Sequence, residues 1–356
     1  MLYKEDWELT KLEYEKWWNK ETKKPLLSVT ASKEESKGKA YEWSGWDLVA
    51  KKDDPQKAVD NFEQRAQDIL YLGGAYPNLW LNLGPGVLAA YITGFLKFTG
   101  DTVWFEYPME WDEVEKFLDC LDENNEWWLY TKRLAHLVGE RSQGKFIPGM
   151  TDIGGVADVL ASLRGTENLL MDFIENPERV LSSMDKILEL WHYVYDEVYG
   201  ILSKYMEGTS AWMGLWCPGR WYPIQCDFSA MISPKMFERF VAPYLKEHAC
   251  HLDHTIYHLD GPGEIPHVDM LLDIEEIDGI QWVPGAGNPD VLSEVWLKLY
   301  ERIQKKGKLL VLNSESITFD KLQRLFERIS PEGVFVSGHC DSEAEAYEIL
   351  EWREKI

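Results

Sequence analysis

From about residue 146 onward the chain repeats one pattern: a short apolar run, a turn rich in glycine or proline, then a longer segment with helical periodicity. Phe146-Ile147-Pro148-Gly149-Met150 leads through Asp152-Ile153-Gly154-Gly155 into one such helix. Asn176-Pro177 reads as an N-cap and first helical residue, opening a helix in which Val180, Met184, Ile187, Leu188, Trp191 and Tyr195 share a face. A strand is expected over Ala211–Trp216, then a turn-rich loop through Tyr222, then a helix capped by Ser233-Pro234 and running to about Leu252. Further units start at Thr255–Asp260, Gly279–Val283, Lys308–Asn313 and Gly333–Ser337, and the last helix opens with Ser342-Glu343-Ala344-Glu345, a capping-box pattern.

Apolar strands alternating with helices imply a parallel sheet covered by helices. With earlier strand candidates at Pro25–Thr30, Leu79–Asn82 and Thr102–Glu106, the count reaches about eight units. The expected fold is therefore α/β, a closed (β/α)8 TIM-type barrel over residues 76–356 preceded by a helical N-terminal extension over residues 1–75. No Gly-x-Gly-x-x-Gly follows a first strand, which disfavours a dinucleotide-binding sheet.

Composition removes several classes of function. With 61 acidic against 37 basic residues the formal charge is −24, which repels phosphate backbones and anionic lipid, so neither nucleic acid nor a membrane surface is an expected partner. No run approaches the roughly 20 apolar residues of a membrane span, and the N-terminus lacks a secretory pattern, so a cytoplasmic location is expected. Cys120, Cys217, Cys226, Cys250 and Cys340 are widely spaced and form no Cys-x-x-Cys pair, which points to reduced thiols. The 17 tryptophans serve core packing in the main, but clusters at Trp43 and Trp46 and at Trp212, Trp216 and Trp221 could wall a pocket for a flat or cationic molecule.

In a barrel of this kind the carboxyl ends of the strands carry the active site. That rule gathers Asp152, Trp216, Cys217, His258, Asp260, Trp282, Asn313, His339 and Cys340 at one mouth. His258 and Asp260, two apart on a strand, point to the same face. Together with Cys340 they offer an imidazole, a carboxylate and a thiolate, a three-ligand set for zinc with one position open. Two other readings stand beside it: a core histidine bonded to Asp260, or a metal-free acid/base pair. Cys340 could equally be a buried space-filler, and His339 is the alternative ligand or a general acid. Arg220, in the loop between Cys217 and Cys226, either holds an anionic group or is a solvated loop residue. Asp152, Trp216, Arg220, Tyr222, Trp282 and Asn313 are the expected substrate-lining residues. Cys120, Cys250, His136, His192, His248, His251 and His254 fall in helical segments and are assigned to packing or surface.

The stretch Gln225-Cys226-Asp227-Phe228-Ser229-Ala230-Met231-Ile232-Ser233-Pro234 through Pro243-Tyr244 resembles the uroporphyrinogen decarboxylase superfamily, where a strand-end aspartate precedes Ser-Pro, a helix and a second proline. The Asp152–Gly155 turn, the Glu175-Asn176-Pro177-Glu178 helix start, His258-x-Asp260-Gly261 and Gly338-His339-Cys340 follow in the same order, so the resemblance spans about residues 60 to 350. It implies a (β/α)8 barrel and either decarboxylation or zinc-dependent methyl transfer with corrinoid proteins.

The decarboxylases carry an arginine-rich N-terminal motif, whereas this chain has Lys23-Lys24-Pro25-Leu26 there. The methyltransferase branch binds zinc through a His-x-Cys strand end and a later cysteine. His258 and Cys340 match two of these positions, and Asp260 stands for the third. An oxygen in place of sulfur hardens the ligand set and suits polarising the nitrogen or oxygen of a methyl donor. The resemblance thus implies a zinc-dependent methyltransferase moving a methyl group between a small methylated amine or ether and a corrinoid. With no Asp-x-His-x-x-Gly motif in the chain, the corrinoid would ride on a separate partner protein, and the enzyme itself would be a homodimer. A metal-free decarboxylase or lyase, with Asp227 or His339 managing a proton, is the alternative, followed by a non-catalytic small-molecule-binding barrel.

Overall fold

The computed structural model describes residues 1–356 except Cys120, so the packing role expected of that cysteine lies outside the described residues. The principal strands are β1 (Leu26–Ser32), β2 (Ile69–Gly73), β3 (Asn78–Trp80), β4 (Ile147–Gly149), β5 (Trp221–Gln225), β6 (His254–Asp260), β7 (Gly279–Val283), β8 (Leu309–Ser316) and β9 (Val334–Cys340). Seven of them form one sheet in the order β2-β1-β9-β8-β7-β6-β5, parallel except for the antiparallel β1–β2 pair. β3 and β4 make a separate parallel pair.

The fold is mixed α/β around a mostly parallel central sheet. Among the described residues its backbone ladder does not close, because pairing stops on either side of β3 and β4. The Gly74 N–H donates to the Leu27 carbonyl (2.8 Å), extending the β1–β2 pairing by one step, and Met150 N–H, just past β4, donates to the Ser210 carbonyl (2.8 Å) of the short pair Thr209–Ser210/Trp216–Cys217. Residues 1–75, expected as a helical extension, supply β1 and β2 to the sheet as well as helices, among them Trp7–Trp18 and Pro55–Ala66.

Parallel strands buried on both faces read as unbroken apolar runs, and Leu309-Leu310-Val311-Leu312 of β8 is buried throughout. The edge position of β5 follows from Pro223 at its centre. A proline donates no backbone hydrogen bond and is tolerated where one side of the strand is unpaired.

Helix caps follow the sequence signals in part. Ser233 accepts from Met236 N–H (3.3 Å) and Ser342 from Glu345 N–H (3.2 Å), but the Glu345 carboxylate accepts from Phe319 N–H (3.1 Å) instead of completing its own box. The helix expected to run from Ser233 to Leu252 is two helices, Pro234–Phe240 and Ala242–Cys250, broken where Pro243 cannot donate to the preceding turn.

Helix α1 (Trp7–Trp18) lies across the amino-terminal ends of the strands. Trp17 meets Phe335 near the start of β9, with ring centroids 6.0 Å apart. Trp18 meets Trp221, the first residue of β5, at 5.7 Å and stacks on His254, the first residue of β6, at 4.7 Å. The opposite, carboxyl-terminal ends remain for chemistry. Three further helices position that end: α2 (Pro55–Ala66), α3 (Val156–Arg164) and α4 (Pro177–Leu202).

Candidate metal centre and the residues around it

β6 delivers His258 and Asp260 to one face of the sheet, as the two-residue strand period requires. β5 ends at Gln225, and the chain tightens at once into a 3-10 turn, Asp227–Met231. The Asp158 carboxylate, in the first turn of α3, pins that turn by accepting from Asp227 N–H (3.2 Å) and Phe228 N–H (2.7 Å). Asp227 is thereby held beside β6. One ligand atom each from Asp227, His258 and Asp260 lies within 4.8 Å of the others, a donor set of one imidazole and two carboxylates that fits a divalent cation.

A row of side-chain amides fixes the imidazole. Asn313 on β8 donates from Nδ2 to the Met213 carbonyl (3.2 Å), which can only accept, and to Ser337 Oγ (2.6 Å). Its Oδ1 must then accept, and does so from Gln281 Nε2 (2.5 Å) on β7. Gln281 Oε1 is left to accept from His258 Nδ1 (2.6 Å). His258 therefore donates from Nδ1, which leaves Nε2 as the nitrogen turned to a metal, with an outer partner holding the ring. The Trp212 ring packs edge-on against the imidazole, 4.9 Å between centroids.

The surrounding electrostatics are those of crowded acids. Burial raises the proton affinity of Asp227, His258 opposes that rise and Asp260 adds to it. Burial and the charge of Asp227 push Asp152 up to about 7, against backbone N–H donation from Gly86 and Gly154, and the same two causes raise Asp158. Burial likewise pushes Glu264 up to about 9, although its Oε2 accepts from Tyr257 O–H (2.9 Å). Its Oε1 is buried without a partner.

A pH dependence follows from Glu264. Its carboxyl titrates near 4.3 in an unfolded chain, roughly. Between that pH and about 9 the native chain holds a proton that the unfolded chain has lost. Stability therefore falls as pH rises through this window, by up to about 1.4 kcal/mol per pH unit, and levels above it. Glu264→Gln keeps an acceptor for Tyr257 and removes the proton, so the variant should gain on the wild type steadily from pH 5.5 to 8 in urea unfolding with chelator present. Parallel pH profiles for the two proteins would rule the account out.

The structure brings together only part of the expected site. His258, Asp260, Asp227 and Asn313 converge, and Asp152 lies close behind them. Cys340 does not join them. Ser337 and His339 of β9 share the face of the Asn313 bond, so Cys340 takes the opposite face, where its Sγ contacts the Ile317 carbonyl (3.5 Å) and burial pushes the thiol up to about 12. The three-ligand set containing Cys340 is corrected accordingly.

Trp282 alternates away from Gln281 and packs outward against Trp296 (4.9 Å). Trp216 is at the amino-terminal end, against Trp7 (5.6 Å) and Tyr14 (6.3 Å). Arg220 precedes β5 at that same end, bonded to Asp196 and to His251 (3.0 Å). Tyr222 is buried beneath the site, its hydroxyl accepting from Ile153 N–H (2.7 Å). His339 faces a neighbouring cavity, its Nδ1 3.0 Å from Thr30 Oγ1. Gln281, Asp158 and Glu264 were not singled out from the sequence, and Trp212 was named only within a tryptophan cluster. For Gln281 a signal existed, a lone polar residue inside the apolar run Ile280–Val283.

No protein-family model matches the chain, and no curated protein matches it. Among solved structures, a methyltransferase from Methanosarcina mazei aligns with a TM-score of 0.60 over 97% of this chain and 98% of that chain, at 14% sequence identity. The likeness is one of fold, and it extends over essentially the whole of both chains.

Proposed function

We propose that the chain is a metal-dependent methyltransferase that passes a methyl group from a small methylated amine or ether to a corrinoid on a separate protein. In this reading the parallel strands curl into a barrel whose mouth is the site. The observation that carries the proposal is the convergence of Asp227, His258 and Asp260 around one point, with the free nitrogen of His258 set by Gln281. The full-length fold likeness to a methyltransferase supports methyl as the group moved.

Asp227, His258 and Asp260 would hold a zinc ion, which when bound would supply Lewis acidity to the heteroatom that gives up the methyl group. Gln281 keeps the His258 lone pair directed at the site. The Trp212 ring shields the imidazole from water on one side. Asp227, whose proton affinity is raised, would have to be deprotonated to hold a cation, so metal affinity should climb with pH. A second reading, a metal-free decarboxylase or lyase, draws support from Asp152, whose carboxyl is pushed up to about 7, and from the raised proton affinity of Asp227.

The deciding assay supplies reduced cobalamin and a panel of methylamines and methyl ethers, following the absorbance of the cobalt centre. Methyl transfer that chelator abolishes and zinc restores is the expected result. Release of carbon dioxide from carboxylic-acid substrates supplied in place of that panel, indifferent to chelator, would establish the second reading instead.

A further inference from the structure

A cavity of about 200 Å³ sits at the gap in the ladder between β2 and β3, and Thr30, Phe62, Arg65, Tyr71, Tyr76 and His339 are among its lining residues. We propose that it binds the carboxylate of a small organic anion with an aromatic or other apolar body. This rests on the function proposed above only for the use made of the bound molecule, as the substrate whose methyl group is transferred.

The argument begins with charge. In a chain of net charge −24, arginines find acidic partners readily: Arg141 pairs with Glu63 (2.8 Å), Arg164 with Asp172 (2.8 Å) and Arg353 with Glu13 (3.0 Å). Arg65, in the last turn of α2, is exposed at the cavity rim and, like Arg133 and Arg324, makes no ion pair among the described residues; of these three it alone is among the residues that line the cavity. A guanidinium left without an acidic partner at the rim of a cavity, in a chain that otherwise repels anions, is a local trap for a small anion, and its planar fork matches a carboxylate.

The polar groups opposite are arranged to assist. Thr30 Oγ1 lies 3.0 Å from His339 Nδ1 and 3.4 Å from the Gly338 carbonyl, and the hydrogen bond between Thr30 and His339 holds the second imidazole beside the cavity. Phe62, Tyr71 and Tyr76 supply the apolar and aromatic side, and the volume suits a single ring with one substituent. Thr30 and His339 lie near the carboxyl ends of β1 and β9, the same end of the sheet at which β6 presents Asp260. A molecule anchored here is thus held at the end of the sheet where the candidate metal centre lies.

The test is calorimetric titration of the full chain, in chelator, with benzoate and with its neutral isostere benzamide. Benzoate should bind at least about tenfold more tightly, since only it makes a charge-assisted bond to Arg65. Arg65→Ala should erase that preference, Arg65→Lys should retain part of it, and His258→Ala should leave it intact. Equal binding of the two probes, no binding of benzoate, or an Arg65→Ala protein with unchanged benzoate affinity would each overturn the carboxylate site. The two proposals fail separately. A protein that transfers methyl groups with zinc yet ignores benzoate loses only the carboxylate site, and one that binds benzoate through Arg65 but carries no metal loses only the methyltransferase.

Discussion

His258→Ala should lower zinc affinity by about 100-fold or more, taking bound metal from one equivalent to background in protein dialysed against a mild chelator. The reasoning is that one of three protein ligands is removed and the two remaining carboxylates repel each other. Cys340→Ser should leave metal content unchanged, because the thiol faces the other side of β9 and contacts the Ile317 carbonyl. Gln281→Leu should fall between these, with a loss of about 10- to 100-fold, as the ring is then free to rotate and to change tautomer. Competition with a fluorescent chelator resolves all three, and thermal unfolding at several zinc concentrations gives an independent measure because a ligand of the native state raises its stability. Stoichiometric zinc in His258→Ala, or its loss in Cys340→Ser, would dispose of the ligand set proposed here.

Trp18→Ala should cost about 3–5 kcal/mol of stability, the range for truncating a buried large aromatic. Trp18 is 3% exposed, packs on Trp221, stacks on His254, and donates from Nε1 to the Trp216 carbonyl (2.9 Å). Truncation leaves a cavity at the amino-terminal end of the sheet and strips the partner from a buried acceptor, two penalties at once. Trp104→Ala is the control, since Trp104 is 51% exposed and should change stability by no more than about 0.5 kcal/mol. Urea denaturation of the two variants makes the comparison. A loss below about 1 kcal/mol in Trp18→Ala would mean that α1 is not integral to the core.

The architecture was legible where periodicity is strong. The apolar runs at Thr255–Asp260, Gly279–Val283, Lys308–Asn313 and Gly333–Ser337 are four adjacent parallel strands, and the pairing of His258 with Asp260 on one face needed nothing beyond the strand period. Most of the misplaced site residues trace to a single misreading. The strand expected at Ala211–Trp216 is a turn held between Thr209–Ser210 and Trp216–Cys217, and the true strand is Trp221–Gln225, where Pro223 argues against a central strand. Shifting that strand moved Trp216 and Arg220 to the wrong end of the sheet and took Tyr222 from the mouth into the core. Cys340 and Trp282 failed for a different reason. Both lie at the correct end of a strand but have the wrong parity, and parity against a neighbouring strand is fixed by register, which depends on tertiary packing.

The amide row from Asn313 through Gln281 to His258 has a direction, since its far end is tied to a main-chain oxygen that no substitution at position 213 can abolish. Reversing one member would set like against like at the next. Over evolutionary time positions 281 and 313 should therefore drift only as a linked pair, and two lineages descended from this chain would be expected to keep both amides or replace both.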